Sequence, residues 1–149
     1  MPPDQLQRDN SGQVIPYDCD NIDRTDCIIR RISEEHIVSD GNGGRRISSM
    51  AFKKSSGANA GMSIDIEQLI VKAGINARKF VTTPKWMGSV HFTAGAIRDN
   101  EFMIGRDPLA DNPYHGEVWG NFTSAKVKRL QRLAQWYVAI KDVRLNDAA

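Results

Sequence analysis

Apolar residues along this chain occur mostly in short runs, rich in β-branched and aromatic side chains and separated by glycine, proline, asparagine and aspartate. Such runs are typical of β-strands. The pattern predicts strands over residues 27–32, 47–52, 62–66, 80–83, 89–93, 102–104 and 118–120. The Asp99-Asn100 pair between two of these runs indicates a hairpin turn.

Two other segments show the spacing of helices. Residues 67–73 carry apolar side chains at helical spacing before Gly74, which favours a short helix ending in a glycine cap. A second helix is predicted after Thr123 or Ser124, either of which can cap it. Its apolar stripe consists of Val127, Leu130, Leu133, Ala134, Tyr137 and Ile140. We therefore expect an α+β fold, in which a mainly antiparallel sheet is packed by a short central helix and a long C-terminal amphipathic helix.

The N-terminal residues differ from the rest of the chain. Residues 1–24 are rich in proline and aspartate, have few apolar positions and show no period, which predicts a flexible or surface-laid arm. The remaining residues, 25–149, are expected to form a single α+β domain, because a chain of 149 residues matches one domain of ordinary size.

Composition narrows the class of protein. A hydrophobic fraction of 40% and a charged fraction of 26% are those of a soluble globular protein, and no apolar run is long enough for a membrane span. The first residues lack the pattern of a secretory signal, which predicts a cytoplasmic location and free thiols at Cys19 and Cys27. A formal charge of +2 does not by itself indicate nucleic-acid binding.

The first candidate site follows a glycine-rich turn at residues 41–44. Arg45 and Arg46 offer planar sets of donors that match phosphate or carboxylate, and Ser48 and Ser49 add hydroxyl groups. The alternative is a hairpin turn with solvated arginines and serines that bond to local backbone. The glycine spacing matches neither a Walker loop nor a dinucleotide fingerprint.

The second candidate is the pair Ser63 and Asp65, which alternate with apolar residues and so share one face of a predicted strand. Asp65 is expected to reach Arg45 or Arg46, or a ligand between them, if the two strands are neighbours. A structural ion pair and a cap for the helix over residues 67–73 are the alternatives.

The third candidate is the proline-restrained loop over residues 107–115. It concentrates Asp107, Asn112 and His115, and His115 is the best candidate for acid/base chemistry because its unperturbed pKa lies near neutrality. The alternative is a turn held by local hydrogen bonds, with His115 starting a strand. No His-x-x-x-His or Cys-x-x-Cys spacing occurs, so no metal site is expected.

The C-terminal helix also has a basic face. Lys126, Lys128, Arg129 and Arg132 could contact nucleic acid or an acidic partner protein. A solvated helix face has the same appearance, and the segment lacks the aromatic residues of a stacking platform.

Three segments together resemble a family of short bacterial proteins known only as hypothetical. They are Arg46-Ile-Ser-Ser-Met-Ala-Phe52, Met62-Ser-Ile-Asp65 and Asp107-Pro-Leu through Asn112-Pro-Tyr-His115. The resemblance carries no activity, but it implies that the three segments form one joint site.

The order of Arg31, Ser63 and Glu117 also resembles the ADP-ribosyltransferase class, in which an arginine on an early strand, a serine on a later one and a glutamate near the end surround NAD. The resemblance implies NAD as the cofactor. The chain departs from the class in lacking a Glu-x-Glu or Gln-x-Glu pair, since Glu117 stands alone in Gly-Glu-Val.

These observations predict a small recognition module whose polar pocket binds an anionic or nucleotide-like ligand, or a partner protein, without a cofactor. In the alternative, the protein is an NAD- or nucleotide-using enzyme with His115 or Glu117 as acid/base group. A third alternative is an accessory subunit that docks through its C-terminal helix.

Overall fold

The computed structural model describes residues 6–146, in which the chain forms nine β-strands and four α-helices. The strands are β1 (Cys27–Ile32), β2 (Ile37–Ser39), β3 (Arg45–Ile47), β4 (Met62–Ile66), β5 (Gly88–Thr93), β6 (Met103–Arg106), β7 (His115–Trp119), β8 (Gln135–Val138) and β9 (Val143–Arg144). The helices are α1 (Glu67–Lys72), α2 (Ala77–Phe80), α3 (Ala94–Asp99) and α4 (Ser124–Leu133), with 3₁₀ turns at Glu34–His36 and Ser49–Phe52. Within this part of the chain, no helix has the length and apolarity needed to cross a membrane.

Six strands form the main sheet, in the order β6-β7-β4-β1-β5-β8, and every neighbouring pair in it is antiparallel. The short strands β2, β3 and β9 form a second sheet, in which β3 and β9 are parallel. The fold therefore belongs to the α+β class, and the predicted strands over residues 27–32 and 62–66 are confirmed.

The two faces of the main sheet are covered differently. One face carries the larger core, in which residues such as Ile28, Ile64 and Phe92 are packed with Ile97 of α3 and Leu130 of α4. The other face carries a smaller apolar cluster beside α1 and α2, formed by Ile29, Ile70, Ala77, Val81 and Tyr137. Strand alternation sends polar side chains of β1, β4 and β7 to this second face.

The described part of the N-terminal segment, residues 6–24, lies against the domain. Cys19 and Ile22 are buried in the larger core, and Tyr17 contacts the indole of Trp119 with ring centroids 5.7 Å apart. The first five residues of the predicted arm lie outside the described residues.

The predicted long C-terminal helix is wrong. Helix α4 ends at Leu133, Ala134 adopts an extended conformation, and residues 135–138 form strand β8 at the edge of the main sheet beside β5. The sequence Gln-Trp-Tyr-Val has strong strand propensity, and pairing with β5 satisfies its backbone. Tyr137, which continues the helical stripe in sequence, is buried from a strand instead.

Three further element predictions are wrong, and side-chain caps account for each. Within residues 47–52, Ser48 Oγ accepts from the Met50 amide and starts a 3₁₀ turn. Asn76 caps α2, so residues 77–80 are helical where a strand was expected from residue 80. Thr93 caps α3, which replaces the hairpin expected at Asp99-Asn100. A hydroxyl or amide that accepts an end amide stabilises a short helix.

Candidate functional site

The polar face of the main sheet borders a cavity of about 550 Å³ where β1 and β4 meet the loop over residues 107–114. Its polar lining includes Arg30, Arg31, His36, Ser63, Asp65, Asn112 and His115, and its apolar wall includes Phe80 and Trp86. Three separated parts of the chain thus contribute to one site.

Arg31, Asp65 and Asn112 form a buried hydrogen-bonded group on its floor. Arg31 donates to both carboxylate oxygens of Asp65, at 2.8 Å and 3.0 Å, and Asn112 Nδ2 donates to Oδ1 at 2.7 Å. The Arg31 guanidinium also lies over the Phe80 ring, 5.5 Å from its centroid. A two-point arginine-carboxylate pair fixes the guanidinium plane, and in the described part of the chain the remaining nitrogen, Nη1, makes no hydrogen bond.

Arg30 occupies the place where β1 and β4 separate. The two strands pair at Ile28↔Ile66 and Ile29↔Asp65. Beyond these positions Arg30 Nη1 donates to the Ser63 carbonyl at 2.9 Å, and its Nε donates to the Ala51 carbonyl at 2.8 Å. Burial lowers the pKa of Arg30 to about 10, which leaves the side chain charged at neutral pH.

His115 and Glu117 share one face of β7, and Asp107 approaches them from the preceding loop. His115 Nδ1 lies 2.8 Å from the Asp107 carbonyl, and its Nε2 lies 3.9 Å from Glu117 Oε1. Burial, followed by the neighbouring Asp107 carboxylate, raises the pKa of Glu117 to about 7, against the opposing effect of Arg30. Glu117 is therefore poised to take up and release a proton near neutral pH.

The same three residues also have metal-ligating atoms. The nitrogen of His115 and the carboxylate oxygens of Asp107 and Glu117 lie within 4.8 Å of one another. A bound metal requires ligand distances of about 2.0–2.2 Å, so the three side chains would have to close around it. The sequence expectation of no metal rested on local spacing, which does not detect residues brought together by a strand and a loop.

Two aromatic side chains and a histidine form the rest of the wall. The rings of His36 and Trp86 are stacked, with centroids 6.1 Å apart. His36 Nδ1 accepts from the Ser33 amide at 3.2 Å, so the neutral ring carries its proton on Nε2. Burial, aided by the charge of Arg30, lowers the pKa of His36 to about 4, which keeps the ring neutral at pH 7.

The structure places the sequence-predicted residues in two groups. Ser63, Asp65, Asn112 and His115 line the cavity, while Asp107 and Glu117 lie beside His115 and outside that lining. The residues after the glycine turn lie outside this lining: Arg45, Arg46, Ser48 and Ser49 belong to β3 and the 3₁₀ turn after it. The partner of Asp65 is Arg31 and neither Arg45 nor Arg46, because β4 pairs with β1 and not with β3.

Sequence reasoning did not select Arg30, His36, Phe80 or Trp86 for the site. One local signal was present: Arg30 and Arg31 interrupt an otherwise apolar strand, and charged residues in a central strand need partners or a ligand. No local signal marks Phe80 and Trp86, which reach the cavity only because α2 and the loop after it fold over β1.

Comparisons with protein-family models, with curated proteins and with solved structures found no match to this chain. The two resemblances drawn from the sequence therefore stay predictions, and the function is argued from the geometry of the site.

Proposed function

We propose that the cavity binds a phosphate-bearing, nucleotide-like ligand. The observation that carries this proposal is the presence of two charged guanidinium groups, Arg30 and Arg31, beside aromatic rings in one cavity of about 550 Å³. That volume lies within the range of about 300–1,000 Å³ found for small-molecule sites.

Arg30 and Arg31 would bind the phosphate group. Arg31 and Arg30 each direct two nitrogens to protein acceptors, and within residues 6–146 the third nitrogen of each has no hydrogen-bond partner. We infer that this nitrogen is available to a ligand oxygen. The lining also contains two carboxylates, the buried Asp65, which is bonded to Arg31, and the exposed Asp111. The proposal therefore rests on the directed donors of the arginines and not on net charge. Arginine suits this role because its planar donors match phosphate oxygens.

The aromatic side chains of the cavity wall would bind a planar base. Trp86 and Phe80 both border the cavity, and stacking of a base on an aromatic ring contributes about 1–3 kcal/mol. His36 adds a neutral Nε2–H donor, which suits an acceptor atom on a heterocycle. The hydroxyl of Ser63 and the amide of Asn112 complete the hydrogen-bonding groups.

One observation favours a more specific candidate, transfer from NAD. Arg31, Ser63 and Glu117, whose order resembles that of ADP-ribosyltransferases, lie on β1, β4 and β7, which are adjacent in the main sheet. Ser63 and Glu117 are directly opposite each other in the β4-β7 register. In this proposal Arg31 binds a phosphate, Ser63 holds a ribose hydroxyl, and Glu117 exchanges a proton with a ribose hydroxyl or with the acceptor.

His115 replaces the first residue of the Glu-x-Glu or Gln-x-Glu pair of that class. Its Nδ1 contacts the Asp107 carbonyl, so the neutral ring presents the lone pair of Nε2 towards Glu117 and the cavity. We propose that His115 orients the Glu117 carboxyl group, which is the acid/base group.

Ligand binding can be tested by nuclear magnetic resonance of the tryptophan indole groups, because Trp86 borders the cavity and Trp136 does not. Addition of NAD, AMP or inorganic phosphate is expected to shift the Trp86 signal. The variant Arg31→Lys keeps the charge and loses the two-point contact, so we expect at least tenfold weaker binding. Arg45→Lys is the matched control, and equal losses in the two variants would contradict the proposal.

Catalysis requires a separate measurement. With water as the acceptor, the parent protein is expected to break the glycosidic C–N bond of NAD and to release nicotinamide and ADP-ribose. Glu117→Gln should abolish this release while leaving NAD binding within about twofold. The exposed Glu101 provides the control, Glu101→Gln. Tight NAD binding without nicotinamide release would support ligand recognition by the cavity and would contradict transfer from NAD.

A further inference from the structure

Charged residues are unevenly distributed along this chain. Residues 41–64 and residues 118–141 contain no aspartate or glutamate, yet together they hold nine of the 20 lysine and arginine residues. All 18 acidic residues lie in the rest of the chain. The small net charge of +2 therefore conceals two strongly basic segments.

The fold brings these two segments together. Helix α4 packs on the 3₁₀ turn Ser49–Phe52, and Val127 and Leu130 of the helix share the larger core with the buried side chains of that turn. Gln131 Nε2 donates to the Ile47 carbonyl at 2.9 Å, which ties α4 to the end of β3. The helix and the turn thus lie side by side on the face of the main sheet that carries the larger core.

Five cationic side chains of the two segments are exposed, and none of them forms an ion pair within residues 6–146. These five residues, termed the basic surface, are Lys53, Lys54, Lys128, Arg129 and Arg132. Lys128 and Arg132 are four residues apart and so share one face of α4. Lys53 and Lys54 directly follow the 3₁₀ turn on which α4 packs.

The basic surface fits a chain of phosphate groups better than a membrane or an acidic protein. A helix that enters a membrane interface needs a free apolar face, whereas Val127 and Leu130 of α4 are buried. Protein interfaces are depleted in lysine and have an apolar centre. In the two segments, which are described throughout, the large apolar side chains that are exposed are Met50 and Leu133 alone.

The surroundings favour a duplex over a single strand. Single strands are bound largely by stacking their bases on exposed aromatic rings. The aromatic residues of the two segments are all buried or half-buried, and they are Phe52, Trp119, Phe122, Trp136 and Tyr137. A duplex instead presents about one negative charge per 1.7 Å of its axis, and lysine and arginine bind these phosphates without contacting a base.

We propose that the basic surface binds the phosphate backbone of double-stranded nucleic acid, independently of base sequence. Neutralisation of the phosphates by the five cations releases counterions from the duplex, and this release drives binding. The inference does not depend on what fills the cavity, because α4 lies on the opposite face of the main sheet.

The test measures binding of a labelled duplex to the full chain by fluorescence anisotropy, with DNA and RNA duplexes as separate arms. Five neutralised phosphates predict a slope of about −4.5 in log K against log salt concentration, which is a loss of about 500-fold between 50 mM and 200 mM salt. Two duplexes of unrelated sequence should bind with affinities within about twofold of each other.

Matched double variants locate the binding surface. Lys128→Gln combined with Arg132→Gln should weaken duplex binding at least tenfold in low salt and make the slope shallower by about two. Lys72→Gln combined with Lys79→Gln is the control, because these exposed lysines lie on α1 and α2 at the other face of the sheet. Equal melting temperatures of the variants exclude unfolding as the cause. No duplex binding by the parent, or equal losses in the two double variants, would overturn the proposal.

Other anionic probes complete the test. Displacement of the duplex by polyglutamate at equal charge concentration would overturn the proposal in favour of an acidic protein partner. Tighter binding to phosphatidylserine vesicles or to a single strand than to the duplex would also overturn it. Loss of duplex binding in the Lys128 and Arg132 variant, with an unchanged Trp86 response to AMP, would support it separately from the proposed nucleotide site.

Discussion

Two pairs of adjacent arginines, Arg30-Arg31 and Arg45-Arg46, have the same local chemistry and different surroundings. The first pair lies on β1, which has a neighbour on each side in the main sheet. The second pair lies on β3, in the small sheet, where Arg45 pairs with the exposed Glu34 at 3.3 Å.

The difference teaches that tertiary neighbours decide what an arginine does. Arg30 and Arg31 donate to Ala51, Ser63 and Asp65, all distant in sequence, and they border a cavity. Surface pairs such as Arg45-Glu34 contribute about 0–1 kcal/mol because water competes for both partners. The glycine-rich turn beside Arg45 made the second pair the more conspicuous in sequence.

The largest expected effect is that of Arg30→Ala. The change removes two charged hydrogen bonds, to the Ala51 and Ser63 carbonyls, where β1 and β4 separate. We expect a loss of about 3–5 kcal/mol in the free energy of unfolding, measured by urea denaturation. Arg45→Ala should change it by less than about 0.5 kcal/mol. Similar losses in the free energy of unfolding of Arg30→Ala and Arg45→Ala would contradict the difference between the two arginine pairs.

The next prediction compares a carboxyl group near each pair, Glu117 near Arg30 and Glu34 near Arg45. Because burial and Asp107 raise the pKa of Glu117 from 4.5 to about 7, the folded state binds this proton more tightly than the unfolded state. Stability from this group is therefore full below about pH 4.5 and is lost as the pH rises through about 7.

Glu117→Gln should remove that pH dependence. Relative to the parent, the free energy of unfolding of this variant is expected to rise by about 1–3 kcal/mol between pH 5 and pH 8. Urea denaturation at both pH values measures the change, and Glu34→Gln is the exposed control. If the difference in the free energy of unfolding between Glu117→Gln and the parent were the same at both pH values, the raised pKa of Glu117 would be contradicted.

The third prediction concerns the two ion pairs themselves. A double-mutant cycle on Arg31 and Asp65 should give a coupling energy of about 1–2 kcal/mol, because the pair is largely buried and bonded at two points. The cycle on Arg45 and Glu34 should give less than about 0.5 kcal/mol. Thermal or urea denaturation of each set of variants measures the two coupling energies. Equal coupling energies would contradict the buried, two-point contact between Arg31 and Asp65.

The smallest effect is expected at the edge of the small sheet. Arg144 on β9 donates to Asp40 Oδ2 at 2.6 Å, and the arginine is 42% exposed. Arg144→Ala should cost less than about 1 kcal/mol, and the cost should shrink in 1 M salt. The loss in Arg30→Ala should persist in the same salt, since buried groups are screened less. If the loss of stability in Arg144→Ala did not change with salt, the expected difference between the exposed Arg144 and the buried Arg30 would be contradicted.

Part of the fold could be predicted because its signal is local. The apolar run at residues 27–32 and the alternation at 62–66 became β1 and β4, and residues 67–72 became α1 before Gly74. The C-terminal segment could not be predicted in this way. Leu130, Ala134 and Tyr137 fit one helical stripe, yet the chain turns extended at Ala134 and pairs with β5.

Some residues of the site could also be selected from the sequence, and others could not. Ser63, Asp65, Asn112 and His115 could be selected because polar residues on an alternating strand or a proline-restrained loop stand out locally. Their arginine partner could not, since Arg31 and Asp65 are 34 residues apart and meet only through the β1-β4 register. The glycine turn drew attention to Arg45 and Arg46, which the small sheet carries away from the cavity lining.

By itself, then, the sequence determined the α+β class, several strands and a list of chemically capable side chains, because periodicity and turn residues act over a few positions. The tertiary structure alone decided which arginines border the cavity, that Asp107 and Glu117 meet, and that residues 135–138 extend the sheet. Strand order and burial depend on contacts between distant parts of the chain. Those contacts turn a list of polar residues into a site.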